Sequence, residues 1–382
     1  MKNTVYLDNA ATSFPKPESV YYEMYRCMRE YCGNPGRGSN KMAIRASETL
    51  YEARTALKDF FCAPAEENVV FTYNATYALN IAVKCFLKRG STVLISDIEH
   101  NAVYRPVISE SLKGNISFRI FGTYNGDENK IMADIEKKTT YNTSAIICTG
   151  ASNICNLRLP IERIGKFAKD RNILFILDAS QLAGHAAIDM ESANISILCG
   201  PFHKALYGPQ GGGFMIVGKG VKPLRTLIEG GSGYDSKVPT MPKSLPEMFE
   251  AGTVSTPAAA GLTCALRYLS NAGMDNIIKY ENNISNMLRY VLMSYPQLEI
   301  HGDMGDGGVF SVTSKALSVE ELAEALDRQG ILIRAGMHCA PLAHKKLGTY
   351  EDGTVRFSIG IFNTDNDIDA LSVALAKIFR NK

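Results

Sequence analysis

A lysine stands between two short apolar runs near the middle of the chain. The first run, Ile195–Cys199, leads through a Gly-Pro pair to His203 and Lys204, and three glycines then precede the second run, Phe214–Val217. A lysine side chain normally keeps its charge in water, and burial lowers its pKa. The neutral amine is the form that makes Schiff bases with carbonyl compounds. The stretch predicts an amine nucleophile at Lys204, although a surface lysine in a hairpin has the same local pattern.

Other apolar segments also end in side chains that can take part in chemistry. Residues 68–72, 92–96, 144–149 and 173–177 each read as a buried strand followed by a helix or a polar turn. In parallel sheets the carboxyl ends of the strands meet at one edge, where ligands bind. We therefore expect one site that joins Lys204 to the residues at those ends, which are Asn74, Ala75, Thr76, His100, Asn153, Asp178, Gln181 and His203.

The order of the elements indicates an α/β fold. Apolar strands alternate with amphipathic helices as far as Val217, which predicts a mostly parallel central sheet covered by helices on both faces. Beyond Gly220 the pattern changes to a long irregular segment, two helices and a smaller α+β unit. We expect an N-terminal arm over residues 1–17 that packs at the cleft or on the small domain, a large domain over 18–260 and a small C-terminal domain over 261–382.

Composition does not favour nucleic acid or membrane partners. The 41 basic and 39 acidic residues leave a net charge of +2, so no strong field attracts nucleic acid or an anionic membrane. The sequence shows neither a signal-peptide pattern at its start nor an apolar run near the roughly 18 residues of a membrane span. Nine cysteines without a CxxC pair favour free thiols in a reducing compartment. We expect a cytoplasmic protein.

The residue types at the predicted sheet edge match what pyridoxal phosphate requires. Asp178 ends a very apolar strand, and a buried carboxylate there needs a protonated partner such as the pyridine nitrogen of that cofactor. Gln181 can donate to the phenolic oxygen, and His100 can stack on the ring and move protons. The helix start at Ala75 and Thr76 offers N–H groups and a hydroxyl to the phosphate. The central lysine would hold the aldehyde.

Some of these features have ordinary structural explanations when each is taken alone. His100, Asp178 and Thr76 are also compatible with helix caps. The segment GPQGGG over residues 208–213 lacks P-loop spacing and precedes a strand rather than a helix, so we interpret it as a turn.

Five stretches of the sequence resemble one family. Residues 178–181 (DASQ) and 203–211 (HKALYGPQG) resemble the signature of class V aminotransferases. Within that class, residues 6–12 (YLDNAAT), 99–101 (EHN) and 334–340 (RAGMHCA) resemble cysteine desulfurases, above all the SufS/selenocysteine lyase-like group. The resemblance implies a pyridoxal-phosphate-dependent transferase of fold type I with a large domain and a smaller α+β domain.

The resemblance also implies a role for each matching position. For the cofactor these are Lys204 for the Schiff base, Asp178 for the pyridine nitrogen, Gln181 for the phenolic oxygen, His100 for ring stacking, and Thr76, Ala75 and His203 for the phosphate. Thr253 would reach the phosphate of the other subunit's cofactor, which implies a homodimer with a shared active site. Arg356 would clamp the substrate carboxylate, for which a bidentate guanidinium is well suited. The residues implied to assist it are Asn153, Arg334 and the backbone of Asn9, Ala10 and Ala11.

Cys339 is implied as the nucleophile that attacks the substrate's sulfur and carries it as a persulfide. This role needs thiolate character, which Arg334, His338 and a polar loop could supply; a structural thiol is the alternative. A metal site at His338, Cys339 and His344 would have only three ligands at odd spacing, so we expect no metal.

The chain departs from the family pattern beside the central lysine. Pro201 replaces the usual Ser or Thr three residues before Lys204, Phe202 replaces a glycine, and Asn40 stands where a histidine is common. These departures leave the mode of phosphate binding open. Pro201 and Phe202 also motivate a second hypothesis, a sulfur-handling or scaffold protein that binds no cofactor.

The leading hypothesis is a pyridoxal-phosphate-dependent cysteine desulfurase that converts L-cysteine to L-alanine and leaves a persulfide on Cys339. Another class V enzyme, such as a selenocysteine lyase, a β-eliminating lyase or an aminotransferase, is the alternative. A sulfur-acceptor protein is a further implied partner. The sequence does not distinguish iron–sulfur cluster assembly from thionucleoside or selenium metabolism as the pathway served.

Overall fold

Helices and strands alternate along most of the chain in the computed structural model, which describes residues 4–36, 40–234, 237–302 and 305–380. The strands are β1 (Val5–Tyr6), β2 (Val69–Thr72), β3 (Ser91–Ser96), β4 (Ile116–Phe121), β5 (Thr143–Thr149), β6 (Leu174–Asp178), β7 (Ile197–Pro201), β8 (Gly213–Val217), β9 (Leu298–His301), β10 (Val309–Ser314), β11 (Ile331–Leu332), β12 (Arg334–Gly336) and β13 (Thr354–Ser358). The helices are α1 (Glu18–Glu30), α2 (Lys41–Phe61), α3 (Ala75–Phe86), α4 (Asn101–Leu112), α5 (Glu128–Lys138), α6 (Ile161–Asp170), α7 (Thr256–Ala272), α8 (Met274–Met293), α9 (Val319–Arg328), α10 (Pro341–Leu347) and α11 (Asp365–Phe379).

A seven-stranded sheet forms the centre of the described chain. Its strand order is β2-β8-β7-β6-β5-β3-β4, and each pair is parallel except the two pairs that β8 makes with its neighbours. Strands β2, β3, β7 and β8 are buried along their whole length. Such continuous apolar strands belong between two layers of helices. The prediction of a mostly parallel sheet is confirmed.

Two apolar cores cover the two faces of this sheet. On one face, Leu57 of α2 and Leu262 of α7 pack with Phe175 of β6. On the other face, Leu79 of α3 and Val103 of α4 pack against the outward residues of the same strands. Each helix turns one apolar stripe to the sheet, which gives the three-layer arrangement expected from the alternating sequence pattern.

A four-stranded antiparallel sheet, ordered β12-β13-β10-β9, packs with α8, α9 and α11 around a third core. Strand β1 pairs in parallel with β11, so the beginning of the chain lies beside this C-terminal part. The chain over residues 331–336 forms two short strands rather than one, because β11 pairs with β1 whereas β12 pairs with β13. Strand β9 and helix α10 were not expected. The domain limits at residues 17 and 260 stay a prediction.

Asn40 has a local role at the start of α2. Its side-chain oxygen accepts the N–H of Ala43 at 2.9 Å, which is the geometry of a helix N-cap. No helix in the described ranges is both long and apolar enough to cross a membrane.

Candidate active site

A cavity of about 210 Å³ lies where the carboxyl ends of β2, β3, β5, β6 and β7 meet. The residues expected at a site that line it are Ala10, Ala11, Ala75, Thr76, His100, Asn153, Asp178, Gln181, His203, Lys204, Arg334, Cys339 and Arg356. Asn74, Ala102, Thr149, Ser180, Pro201 and His338 complete the wall. Asn9 and Thr253, which were also expected at the site, lie outside this wall.

Lys204 lies in the turn between β7 and β8. Burial lowers the pKa of its amine to about 8; the nearby Asp178 carboxylate opposes this shift, and the charges of Arg356 and Arg334 add to it. Within the described residues its Nζ makes no hydrogen bond, so the amine faces the cavity without a fixed partner. A partly neutral, unbonded amine near physiological pH is what carbonyl chemistry requires.

Asp178 is the last residue of β6 and is buried. One oxygen, Oδ1, accepts the N–H of Ser180 at 3.0 Å. Burial raises the pKa of its carboxyl group, whereas the hydrogen bonds from Ser180 and the charge of Lys204 lower it. The carboxylate therefore stands in a poorly solvated place and is best stabilised by a cationic or protonated partner in the cavity.

Glu99 is a second carboxyl group buried beneath the site. It accepts hydrogen bonds from the hydroxyl of Ser96 and, at 3.0 Å, from the N–H of Thr149. Burial raises its pKa to about 8. At neutral pH Glu99 is therefore mostly protonated, and it adds little negative charge beside Asp178.

His100 is both a helix cap and a cavity residue. Its Nδ1 accepts the N–H of Ala102 at 3.0 Å at the start of α4, so in the neutral ring the proton resides on Nε2. Burial, together with the nearby charge of Lys204, lowers its pKa to about 3. His100 therefore caps α4 and also lines the cavity, and its imidazole ring is neutral.

The N-terminus of α3 supplies backbone donors to the cavity. Asn74 accepts the N–H of Tyr77 at 2.9 Å, and this cap leaves the N–H groups of Ala75 and Thr76 without an acceptor in the described chain. Gly213 makes this placement possible, because a Cβ there would lie 2.6 Å from the backbone carbon of Asn74. A helix N-terminus of this kind binds anions.

His203 lines the same cavity as the start of α3. Its Nδ1 is buried without a partner, and burial lowers its pKa to about 4, so the ring is neutral. A neutral imidazole has one N–H to donate to an anion.

The bulky Phe202 does not fill the cavity. Its ring is buried on the other side of the turn, where it meets Phe71 edge-on with centroids 6.1 Å apart. Space for the ring comes from Gly212, because a Cβ there would lie 2.2 Å from the ring of Phe202. Pro201 does line the cavity, and it brings neither a hydroxyl nor an N–H.

Cys339 lies at the mouth of the cavity and is exposed. Both His338 (φ 48°) and Cys339 (φ 55°) have left-handed backbone, which is uncommon outside glycine. Two hydrogen bonds hold this conformation: Asn101 N–H donates to the carbonyl of Cys339 at 2.8 Å, and Asn153 Nδ2 donates to the carbonyl of His338 at 2.8 Å. A groove of about 830 Å³ outside the cavity also reaches Cys339, so its thiol faces both spaces.

Arg356 is almost fully buried in β13. It donates to the Asp8 carboxylate at 2.6 Å and to the carbonyl of Asn153 at 2.9 Å, and its Nε has no partner among the described residues. Asn9 lies behind this wall, where its side chain donates to the carbonyl of Ser358 at 3.2 Å. Asn9 therefore supports the fold of the wall in this structure and does not face the cavity.

The interaction of Asp8 with Arg356 was not anticipated. Asp8 is the one acidic residue in the stretch over 6–12, so a counter-charge for a buried arginine could have been suspected. The stretch gave no indication of which arginine it would meet, because the two residues are 348 positions apart.

Thr253 lines a different and larger cavity of about 970 Å³. Residues of α2 and of the segment over 231–254 form its walls. Glu250 anchors this segment, because its carboxylate pairs with Arg54 at 2.6 Å and accepts the N–H of Phe71 at 2.7 Å. Thr253 itself is exposed.

The residues of the 210 Å³ cavity fit pyridoxal phosphate. The cavity combines an unbonded amine of lowered pKa, a buried carboxylate that forms no ion pair within the described residues, and a helix N-terminus with free N–H groups. These three features match the aldehyde, the pyridine nitrogen and the phosphate. Phe202 does not support the hypothesis of a scaffold protein that binds no cofactor, because its ring leaves the cavity open.

Comparisons with known proteins lead to one family. The family model described as Aminotransferase class-V matches residues 5–371. A probable cysteine desulfurase of Methanothermobacter thermautotrophicus is 31% identical, over 99% of this chain and 95% of that protein. The apo structure of a cysteine desulfurase from Thermococcus onnurineus has a TM-score of 0.91 at 26% identity, over 99% of this chain and 95% of that chain. The cysteine desulfurase CsdA of Escherichia coli, at 23% identity and a TM-score of 0.88 over 99% of this chain and 95% of that chain, shares the fold.

Proposed function

The chain belongs to the class V aminotransferase family, and we propose that it is a pyridoxal-phosphate-dependent cysteine desulfurase acting on L-cysteine. Its fold is that of fold type I enzymes. The observation that carries the proposal is that one cavity contains both the amine of Lys204 and the exposed thiol of Cys339. An enzyme that only moved an amino group would not need a thiol at the mouth of the site.

The cofactor would be held by residues that already face the cavity. Lys204 would hold the aldehyde, Asp178 would pair with the protonated pyridine nitrogen, and Gln181 would donate to the phenolic oxygen. Gln181 Nε2 donates to the carbonyl of Ala10 at 2.9 Å, which leaves its second N–H for this role. When bound, pyridoxal phosphate supplies an electron sink for charge at the substrate's α-carbon.

The phosphate would lie at the start of α3. The N–H groups of Ala75 and Thr76, the hydroxyl of Thr76 and the neutral ring of His203 are the donors that support this placement. They offset the missing hydroxyl and N–H of Pro201.

His100 and Lys204 are the candidates for moving protons at the substrate. Lys204, with a pKa of about 8, can exchange a proton near neutral pH without a large free-energy cost. His100 is neutral with its proton on Nε2, and its pKa of about 3 makes it a much weaker base. His100 would also contact the face of the cofactor ring.

Arg356 would bind the substrate carboxylate. In this structure its guanidinium pairs with Asp8, and its Nε is unpartnered. A substrate carboxylate would compete with Asp8 for the same planar fork, which favours bidentate geometry. Asn153 and Arg334, and the peptide groups of Ala10 and Ala11, lie on the same wall and would assist.

Cys339 would receive the sulfur. Its Sγ attacks the sulfur of L-cysteine, an S–S bond forms, and the substrate's C–S bond breaks. The electron pair of the broken bond stays with the carbon skeleton, which takes a proton and leaves as L-alanine. The protein keeps the sulfur as a persulfide, and no external oxidant or reductant is needed.

The persulfide would pass to a sulfur-acceptor protein. The outer groove supports this partner, because it leaves Cys339 reachable from outside and is lined by Arg105, Lys113 and Lys345. A cytoplasmic pathway of sulfur metabolism, such as iron–sulfur cluster assembly, would use such a transfer.

A homodimer with shared active sites would account for the position of Thr253 outside the cavity that contains Lys204. Large hydrophobic side chains near it are exposed: Met42 and Tyr51 beside the 970 Å³ cavity, and Tyr73 at 58% exposure beside Thr253. Exposed apolar patches of this kind are typical of interfaces. A partner subunit would cover them, and Thr253 would reach its phosphate. Sedimentation is expected to give twice the mass of one 41.8 kDa chain, and a single-chain mass at micromolar concentration would contradict the dimer.

Product analysis separates the candidate reactions. The protein, loaded with pyridoxal phosphate, is incubated with L-cysteine, L-selenocysteine or L-cysteine sulfinate and a thiol reductant. We expect equal amounts of alanine and sulfide from L-cysteine. Pyruvate with ammonia would instead identify a β-eliminating lyase. A 2-oxo acid that keeps its sulfur would identify an aminotransferase. Turnover of selenocysteine alone would identify a selenocysteine lyase.

A further inference from the structure

Three residues of the N-terminal arm hold the backbone around Lys204. The carbonyl oxygen of His203 accepts hydrogen bonds from Ser13 N at 3.0 Å, Thr12 Oγ1 at 3.1 Å and Lys16 Nζ at 2.8 Å. The carbonyl oxygen of Lys204 accepts one from Ser13 Oγ at 2.7 Å. We refer to Thr12, Ser13 and Lys16 as the arm clamp.

Lys16 reaches both carbonyl groups. Its Nζ donates directly to His203 O and, at 2.8 Å, to Ser13 Oγ, whose own proton goes to Lys204 O. A hydroxyl that accepts from an ammonium group becomes a better donor, because chained hydrogen bonds polarise one another. The charge of Lys16 therefore strengthens the contact to Lys204 as well as the contact to His203.

Lys16 is an unusual lysine for a surface arm. It is partly buried, and burial lowers its pKa to about 8. It forms no ion pair with any residue of the described chain. A desolvated cation without a counter-charge does not stabilise a fold by its charge alone. What this ammonium group does provide is a pair of hydrogen bonds, one to the carbonyl oxygen of His203 and one to the hydroxyl of Ser13.

We propose that Lys16 is a positioning residue for Lys204. The carbonyl of His203 belongs to the peptide group before the Lys204 Cα, and the carbonyl of Lys204 belongs to the group after it. With both groups fixed, the backbone torsions at Lys204 are fixed too, and so is the direction in which its side chain enters the cavity. This inference rests on the proposed function, because it concerns the lysine that holds the cofactor.

Covalent labelling of Lys204 in the full chain tests the proposal without measuring turnover. Pyridoxal phosphate is added, the lysine adduct is reduced with borohydride after a series of times, and peptide mapping gives the labelled fraction of Lys204. Lys16→Met is expected to slow labelling about tenfold, as for the loss of a hydrogen bond from a charged donor. Ser13→Ala is expected to slow it less, and the double variant by less than the product of the two single effects, because the two residues share one network.

Two matched variants serve as controls. Lys16→Arg keeps a cationic donor and is expected to restore at least half of the labelling rate. Lys88→Met makes the same chemical change at an exposed lysine whose side chain forms no hydrogen bond or ion pair with the described residues, and it is expected to leave the rate unchanged.

Thermal unfolding measured on the same variants separates positioning from stability. A Lys16→Met protein that unfolds at a lower temperature but is labelled on Lys204 at the normal rate would overturn the inference. A normal labelling rate in Ser13→Ala, together with a Lys16→Arg rate as low as that of Lys16→Met, would also overturn it. Absence of any label on Lys204 in the unaltered chain would overturn the proposed function itself. If Lys204 is labelled in the unaltered chain and Lys16→Met is labelled at the same rate, this inference alone would be overturned.

Discussion

Replacing Lys204 by alanine is expected to reduce sulfide release from L-cysteine by roughly 10³-fold or more, as for the loss of a covalent catalytic group. The amine is the only buried one that lines the described cavity, so no neighbouring side chain can take its place. The fold is expected to persist, because Nζ makes no hydrogen bond that the substitution would leave unmatched. Asp178 loses its cationic neighbour, which removes an influence that lowers the pKa of its carboxyl group.

The same lysine gives a pH dependence that can be measured on the unaltered chain. Only the neutral amine attacks an aldehyde, and the pKa of Lys204 is lowered from 10.5 to about 8. The rate at which pyridoxal phosphate labels Lys204 is therefore expected to rise with pH and to level off above about 8. The exposed Lys88 supplies the reference within the same digest. A midpoint near 10.5 for Lys204, together with undiminished sulfide release by Lys204→Ala, would contradict the assignment.

Replacing Cys339 by alanine is expected to abolish desulfuration while leaving the visible absorbance of the bound cofactor intact. The side chain lies at the mouth of the cavity and makes none of the cofactor contacts proposed for Lys204 and Asp178. We expect a loss of roughly 10³-fold in sulfide release, because no other thiol lines the described cavity.

Cys32 and Cys62 are matched controls for Cys339, because they are the other exposed cysteines among the described residues. Their alanine variants are expected to release sulfide at the normal rate. Mass spectrometry after a single turnover should find the added sulfur on the peptide that contains Cys339. Full sulfide release by Cys339→Ala would refute the persulfide and favour direct β-elimination.

The sheet and the meeting of its strand ends could be predicted because their signals are local. The strands expected over residues 68–72, 92–96, 144–149 and 173–177 are present as β2, β3, β5 and β6, and each limit differs by at most one residue. Each strand end carries its polar residues within a few positions, and parallel geometry alone then brings those ends to one edge.

What could not be predicted depends on contacts between distant parts of the chain. The division of the strand over 331–334 is set by two different pairing partners, and helix α10 has only seven residues. Lys16 follows a proline and precedes a helix, which is the pattern of an ordinary surface lysine. Its contact with the carbonyl of His203, 187 positions away, leaves no trace in the local pattern.

Phe202 illustrates the same limit within a single motif. A phenylalanine in place of glycine beside the residues proposed to bind the phosphate suggests obstruction. Whether the ring obstructs the cavity depends on the direction in which it points. That direction depends on the space left by Gly212 and on packing against Phe71. Neither condition can be read from the motif itself.

The salt bridge between Asp8 and Arg356 has a consequence for the order in which the protein matures during synthesis. Translation delivers the arm first and Arg356 about 350 residues later, and contacts of such large sequence separation form late in folding. The substrate wall of the cavity therefore cannot close on a growing chain, even after the central sheet has emerged from the ribosome. A truncated polypeptide that ends before β13 would retain the lysine turn but lack Arg356, which we propose as the carboxylate clamp, so substrate binding would be the last property that the nascent enzyme acquires.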